Sequence, residues 1–491
     1  MKFFKFISTI WLLTTTATSA TVGIRDSNST APQGIPLDTF SKIPSSTDLI
    51  WQPCLSTFFC AVLDVINETT SFLLLADLFQ VPINYQKPNG TRARVPLIKY
   101  PATQEPYQGM LLHNPGGPGV SGIESVFASA SYLSSVSGSG FDIVAWEPRG
   151  LGFSEPITNC SSTIHIPGIQ KRDRAPGQNL PDSFFEEVIR VAKGFGAVCQ
   201  DKTGGEKDAG PHMNTIVLVR DMISVVDAFA RSEDGKRVKR PELLNYWGFS
   251  YGTVIGQMFA SMFPDRIGRV VLDGVVDADD WMSGKILRLG TLTDDVFLAF
   301  FEYCYLAGPK MCSYYSGSSA GDMLKRFEKT VRRFDVKTAT QQDWANSSAI
   351  ILGLEGLKVL ARPKLYFPTA TFSQLADLLV IYEEISGNIS LDAILQMEKQ
   401  IGQNINLVAS PADESLRAIS CTDSRNRLYN HTLQDMKPNI RTLRQQSFLF
   451  GDWVSAQSAN CIGWSIEAAE NFEGVHIIFL YNALLVAFGK R

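Results

Sequence analysis

Apolar and polar positions along the first half of the chain follow two periods. Short apolar runs rich in β-branched and aromatic residues occur at Arg94–Tyr100, Met110–His113, Phe141–Trp146, Leu243–Trp247 and Arg269–Leu272, and each reads as a strand. Between them, Asn214–Ala230 places Ile216, Val219, Met222, Ile223, Val226 and Phe229 on one face of a helix. From about residue 81 to 276 strands and helices alternate, which predicts a mostly parallel sheet covered by helices. After Asp273-Gly274-Val275-Val276 the period changes. Residues 280–415 are mainly helical in spacing, as at Leu324–Phe334, Phe372–Ile385 and Leu391–Ile401, and Cys421-Thr422-Asp423 marks a return toward the sheet. Residues 21–50 are polar and rich in Pro, Ser and Thr, and read as a loose arm. The expected organisation is a leader at 1–20, an arm at 21–60, a sheet-and-helix core at 61–276, a helical insertion at 277–415 and a partial return to the core at 416–491.

Composition adds a compartment. The chain has 491 residues, 45% of them hydrophobic, enough for a large core. Its net charge of −4 comes without a basic block, so no nucleic-acid partner is expected. Lys2 and Lys5, the apolar centre Phe6–Leu13 and the small residues Thr18-Ser19-Ala20 make a secretory signal peptide. Sequons at Asn28, Asn67, Asn89, Asn159, Asn346, Asn388 and Asn430 fit a glycosylated, extracellular protein. Eight cysteines fit an oxidising compartment. Neighbour pairing, Cys54 with Cys60, Cys160 with Cys199, Cys304 with Cys312 and Cys421 with Cys461, is the expectation, although sequence alone does not fix connectivity. Zinc-like spacing is absent, and neither a metal nor another cofactor is expected. The apolar run Ile477–Phe488 is too short to span a bilayer, so no membrane partner is expected.

The chemistry concentrates at Gly248-Phe249-Ser250-Tyr251-Gly252. An apolar strand run precedes it, and a helical run with small residues at Gly252, Gly256 and Ala260 follows. Gly-x-Ser-x-Gly between strand and helix lifts a serine hydroxyl above the sheet on a sharp turn, which makes Ser250 a candidate acyl-transfer nucleophile. Such a site also needs amide donors for the developing oxyanion. The run Leu111-Leu112-His113-Asn114-Pro115-Gly116-Gly117-Pro118-Gly119 reads as a strand followed by a donor loop. The amides of Gly116 and Gly117, with that of Tyr251, are the candidate donors.

His113–Gly119 resembles the His-Gly-Gly-Pro-Gly region of prolyl aminopeptidases. Trp146-Glu147-Pro148-Arg149-Gly150-Leu151-Gly152-Phe153-Ser154 resembles their Trp/Asp-x-Arg-Gly-x-Gly-x-Ser stretch. With Gly248–Gly252, Phe263–Arg266, Val271–Val275, Trp51-x-x-Cys54 and Val81–Tyr85, the chain looks like the secreted tripeptidyl-aminopeptidase-like hydrolases from about 50 to 470. The resemblance implies an α/β class, an α/β-hydrolase fold with an inserted helical cap that selects a free peptide N-terminus. It implies a scaffold role for Arg149, and walls of the acyl pocket at Trp146 and Tyr251. Two departures stand out. The family's triad aspartate and Gly-His stretches are missing, and Val475–Arg491 does not match the expected strand. Of the five histidines, His113 goes with the oxyanion loop, His165, His212 and His431 lie in loops, and His476 sits in an apolar tail. Asp273, Asp277, Asp279 and Asp280 read as structural. Asp64–Gln80 is an extra segment that resembles a translated intron. The expectation is therefore a serine exopeptidase acting through Ser250, with an incomplete triad and a truncated C-terminal catalytic region. The alternatives are a peptide-binding pseudoenzyme and a carboxylesterase acting on small esters.

Overall fold

Gly109–Asn114 and Phe141–Trp146 are strands buried at every position, so the sheet is covered on both faces at its centre. The computed structural model describes residues 35–63 except Leu37, 81–158 except Pro88, Cys160, 179–334, 347–386, 411–472 and 486–488. The signal peptide, Asp64–Gln80, Leu391–Ile401, His165, His476 and the sequons at Asn28, Asn67, Asn159, Asn346 and Asn388 lie outside these residues.

The strands of the main sheet are β1 (Ser45–Ser46), β2 (Gln52–Pro53), β3 (Phe59–Leu63), β6 (Val95–Tyr100), β7 (Gly109–Asn114), β8 (Phe141–Trp146), β9 (Leu244–Phe249), β10 (Ile267–Asp273) and β11 (Val486–Phe488); β4 (Val81–Pro82) and β5 (Arg92–Ala93) form a separate pair. The order is β1-β3-β6-β8-β7-β9-β10-β11, with β2 on β3. β6 runs antiparallel to β3 and β8, whereas β8, β7, β9, β10 and β11 are mutually parallel. The register sets Leu112 beside Tyr246 and Val271 beside Trp247. The parallel strands therefore end along one edge, at Asn114, Trp146, Phe249 and Asp273, where crevices of open α/β sheets form. Helices α1 (Gly122–Val136), α2 (Asp182–Thr203), α3 (Thr215–Arg231) and, past the short α4 (Glu233–Lys236), α5 (Tyr251–Met262) follow in the core.

Three expectations change. Residues 35–60 are not a loose arm: β1 and β2 join the sheet, and Ile35, Phe40 and Ile43 are buried with Ile123, Val126 and Ala130 of α1. Isolated apolar residues in a polar run find cover that composition does not reveal. The C-terminal tail does contribute a strand, since Val486–Phe488 pairs in parallel with Val271–Asp273. The helical insertion does not close at 415. Its core combines Phe297, Phe301 and Leu379 with Met436, Leu443 and Phe450, with Leu180 just before α2, and with Phe185 and Ile189 of α2. The four cysteine pairs are joined as neighbours.

Arg149 fills the scaffold role. Its guanidinium is buried and bonds both oxygens of Asp221 at 2.8 and 2.6 Å, and it donates to the Ile83 carbonyl at 2.8 Å. Tyr85 donates to the same carboxylate at 2.6 Å, so one ion pair ties the segment around β4 to the turn after β8 and to α3. Asp221→Ala leaves that guanidinium buried without its counter-charge. We expect it to cost about 3–5 kcal/mol in urea unfolding, more than most surface changes.

Candidate active site

Ser250 sits between β9 and α5 with φ +51° and ψ −120°, a conformation strained for a residue with a side chain. Its side chain is exposed above the sheet edge. Several bonds hold the bend. The Ser250 amide donates to the Asp273 carbonyl of β10 at 3.0 Å. The Ser250 carbonyl accepts from the Thr253 amide and hydroxyl at 2.8 and 2.6 Å, and the Tyr246 hydroxyl donates to the Gly252 carbonyl at 2.8 Å. Space is as tight as the backbone angles. A Cβ on Gly248 would lie 2.6 Å from the Gly252 carbonyl oxygen, so strand and helix approach closely only because neither position carries one.

The loop after β7 packs directly on this bend. A Cβ on Gly116 would lie 2.5 Å from the Phe249 carbonyl oxygen and 2.9 Å from the Ser250 Cβ. The Gly116 amide is not free to hold an oxyanion, however, because it donates to Asn114 Oδ1 at 2.9 Å. This corrects the expectation for Gly116: it positions the loop. Gly117 lines the cavity with Ser250 and Tyr251, and it is exposed. The Tyr251 amide belongs to the first turn of α5, whose N–H groups a helix leaves unpaired. Gly117 and Tyr251 thus remain the candidate donors. Glu147 supports the loop from behind, accepting from the Ser121 hydroxyl at 2.7 Å while Ser121 caps α1. Burial pushes the Glu147 carboxyl up to about 7.

A cavity of about 370 Å³ opens from Ser250 beneath the cap. Tyr251 walls it, as the resemblance implies. Trp146 does not, because it is completely buried in the sheet core. Trp281 of α6 (Ala278–Met282) lines it instead, together with Phe450 and Trp453. Behind Tyr251 and Trp281 lies a polar network that the sequence did not announce. Buried Asp423 accepts from the Thr215 amide and hydroxyl, both at 2.7 Å, and from the Trp281 indole at 2.8 Å. The Thr215 hydroxyl also meets the Tyr251 hydroxyl at 2.7 Å. The only hint was position, at the return from the cap beside Cys421.

The histidines fall elsewhere. His113 is on β7 itself, buried, with Nε2 3.1 Å from the Ser125 hydroxyl, and burial lowers it to about 4. His212 Nε2 lies 2.9 Å from the Glu206 carbonyl oxygen. Among the described residues no histidine is hydrogen-bonded to Ser250. Asp277 caps α6 and Asp280 accepts from the amides of Leu287 and Arg288, which are structural uses.

Two outcomes test this geometry. Gly116→Ala forces the loop off the bend, and the reaction of Ser250 with a phosphonylating reagent should slow by about 10²–10³, the usual loss for one oxyanion donor. Asp423 has a pH signature. Burial raises its carboxyl from 3.8 to about 6, so between those values the folded protein keeps a proton that the unfolded chain has released. Its contribution to stability is greatest below about pH 4, falls as pH rises through about 6, and is constant above. Urea unfolding of the protein and of Asp423→Asn should show that slope only in the former; parallel curves would contradict it.

Comparison with known proteins agrees with this architecture. Residues 109–303 match the alpha/beta hydrolase fold family. The serine protease Hip1 of Mycobacterium tuberculosis is 35% identical over 227 residues, which is 46% of this chain and 40% of Hip1. A tripeptidyl aminopeptidase of Streptomyces coelicolor is 32% identical over 220 residues, 44% of this chain and 37% of the relative. Carboxylesterase B of Mycobacterium tuberculosis is 32% identical over 149 residues, 30% of this chain and 28% of the relative. The chain therefore spans about two fifths, or less, of the length of the curated relatives it matches. Sheet order, strained serine and sequence match together place it among proteins of the α/β-hydrolase fold.

Proposed function

We propose that this chain is a serine hydrolase that forms an acyl-enzyme through Ser250 on a peptide or ester substrate. One observation carries the reading: an exposed serine at φ +51° faces an apolar cavity beside Gly117 and the first turn of α5. Attack by the Ser250 hydroxyl on a carbonyl would create an oxyanion for the Gly117 and Tyr251 amides to hold. The relatives' names, a serine protease, a tripeptidyl aminopeptidase and a carboxylesterase, support acyl transfer and leave peptide and ester open. The four disulfides support an extracellular location, and the sequon residues Asn89 and Asn430 are both exposed.

A second reading is a pseudoenzyme that binds substrate without turning it over. It is favoured by the lack of a histidine on Ser250 among the described residues. Without a base a triad hydrolase loses on the order of 10⁶ in turnover, and the oxyanion site and binding leave about 10³–10⁴ over water. A fluorophosphonate probe separates the readings. We expect labelling of the protein at Ser250 and none of Ser250→Ala, with the peptide bearing Ser250 identified by mass spectrometry. Failure to label the folded protein removes the hydrolase reading and leaves the binding protein.

A further inference from the structure

The cavity that ends at Ser250 carries a chemical preference. Among the described residues that line it, none bears a charge. Its length is walled by Trp281, Ile286, Val296, Leu365, Phe450 and Trp453. Acids do lie nearby, but those at its walls are already committed. Asp423 spends its oxygens on Thr215 and Trp281. Asp280 accepts the Leu287 and Arg288 amides. Asp294, next to the lining residue Thr293, accepts from the Ser447 hydroxyl and the Phe448 amide at 2.6 and 2.7 Å. An ammonium group pushed into this space would lose its water and gain no counter-charge from the described residues that line it, which is strongly unfavourable. The mouth continues the same character. Leu292 and Tyr366 line the cavity yet are 53% and 66% exposed, and Phe367 beside them is 60% exposed. Apolar side chains held in water at the rim of an apolar channel form a continuous path for an apolar chain.

Resting on the serine-hydrolase reading for its chemistry but not for its binding, we propose that this cavity is an acyl-chain pocket. It takes an uncharged, medium-length aliphatic or aromatic acyl group that enters past Leu292 and Tyr366, with the scissile carbonyl at Ser250. It does not take a free peptide N-terminus. In the reaction the Ser250 oxygen bonds to the acyl carbon, the bond from that carbon to the alcohol or amine breaks, and the hydroxyl proton passes to the leaving group. The oxygen of water then bonds to the acyl carbon, the bond from that carbon to the Ser250 oxygen breaks, one water proton returns to that oxygen, and the carboxylic acid leaves.

The test uses the full chain with Ser250→Ala, so that binding is read without turnover. Trp281 and Trp453 line the cavity, and their fluorescence reports occupancy. The probes are unbranched N-methyl alkanamides from butanoyl to decanoyl, a tripeptide amide with a free amine, and the same tripeptide N-acetylated. Affinity should rise about fourfold per added methylene until the cavity is full. The acetylated tripeptide should bind at least as tightly as the free amine. Leu292→Asp, at an exposed position, should flatten the chain-length dependence. Affinity independent of chain length, or a free amine favoured tenfold or more, would overturn the proposal. These results stand apart from Ser250 labelling: a protein that binds long chains but resists fluorophosphonate keeps the pocket and loses the hydrolase.

Discussion

A serine held at φ +51° is unfavourable by about 1–3 kcal/mol unless its surroundings leave it no alternative. Here the surroundings are β10, which accepts the Ser250 amide at Asp273, and α5, which turns its first residues onto the Ser250 carbonyl. The loop at Gly116 closes the third side, so near that even a methyl group would meet the Phe249 carbonyl. Each element that confines the bend also serves the site. In the proposed acyl transfer the helix would offer the Tyr251 amide, the loop would offer Gly117, and the strand would set the height of the hydroxyl above the sheet. Strain and geometry are thus the same fact seen from energy and from function.

The cap depends on the same corner. Asp423, on the helix Pro411–Asp423, reaches down to Thr215 at the start of α3 and across to Trp281. The Cys421–Cys461 disulfide lies beside it, and Cys461 lines the cavity. A buried carboxylate with three donors is costly to desolvate but specific in where it permits its partners to sit. It fixes the indole that forms one wall and, through Thr215, the tyrosine that forms another. The shape of the pocket is therefore set by polar contacts hidden behind an apolar lining.

Much of the core was legible in the sequence because its signals are local. Phe141–Trp146 and Val95–Tyr100 are apolar runs bounded by turns, and the six apolar residues spaced along α3 mark its buried face. The motif around Ser250 announces its own turn, since only glycine fits at Gly248. What stayed hidden was long-range. Nothing near residue 423 says that its carboxylate will meet residue 215, and nothing near Trp281 separates a pocket wall from a core residue. Trp146 was assigned to the pocket by resemblance, yet its position in the central strand β8 buries it completely. Gly116 was assigned as a donor by motif, yet the Asn114 side chain two residues earlier takes its amide. The cap boundary was missed for the same reason: Phe185 and Leu443 join one core although some 250 residues of sequence separate them.

The central claim is that the Gly117 and Tyr251 amides, and not that of Gly116, face the oxygen that Ser250 chemistry creates. The crystal structure of the protein after reaction with an alkyl fluorophosphonate tests it most directly. The account predicts a phosphorus bonded to Ser250 Oγ, with the phosphoryl oxygen about 2.7–3.1 Å from both amides and Asn114 still bonded to Gly116. A phosphoryl oxygen turned to solvent, or bound by the Gly116 amide with Asn114 displaced, would contradict it.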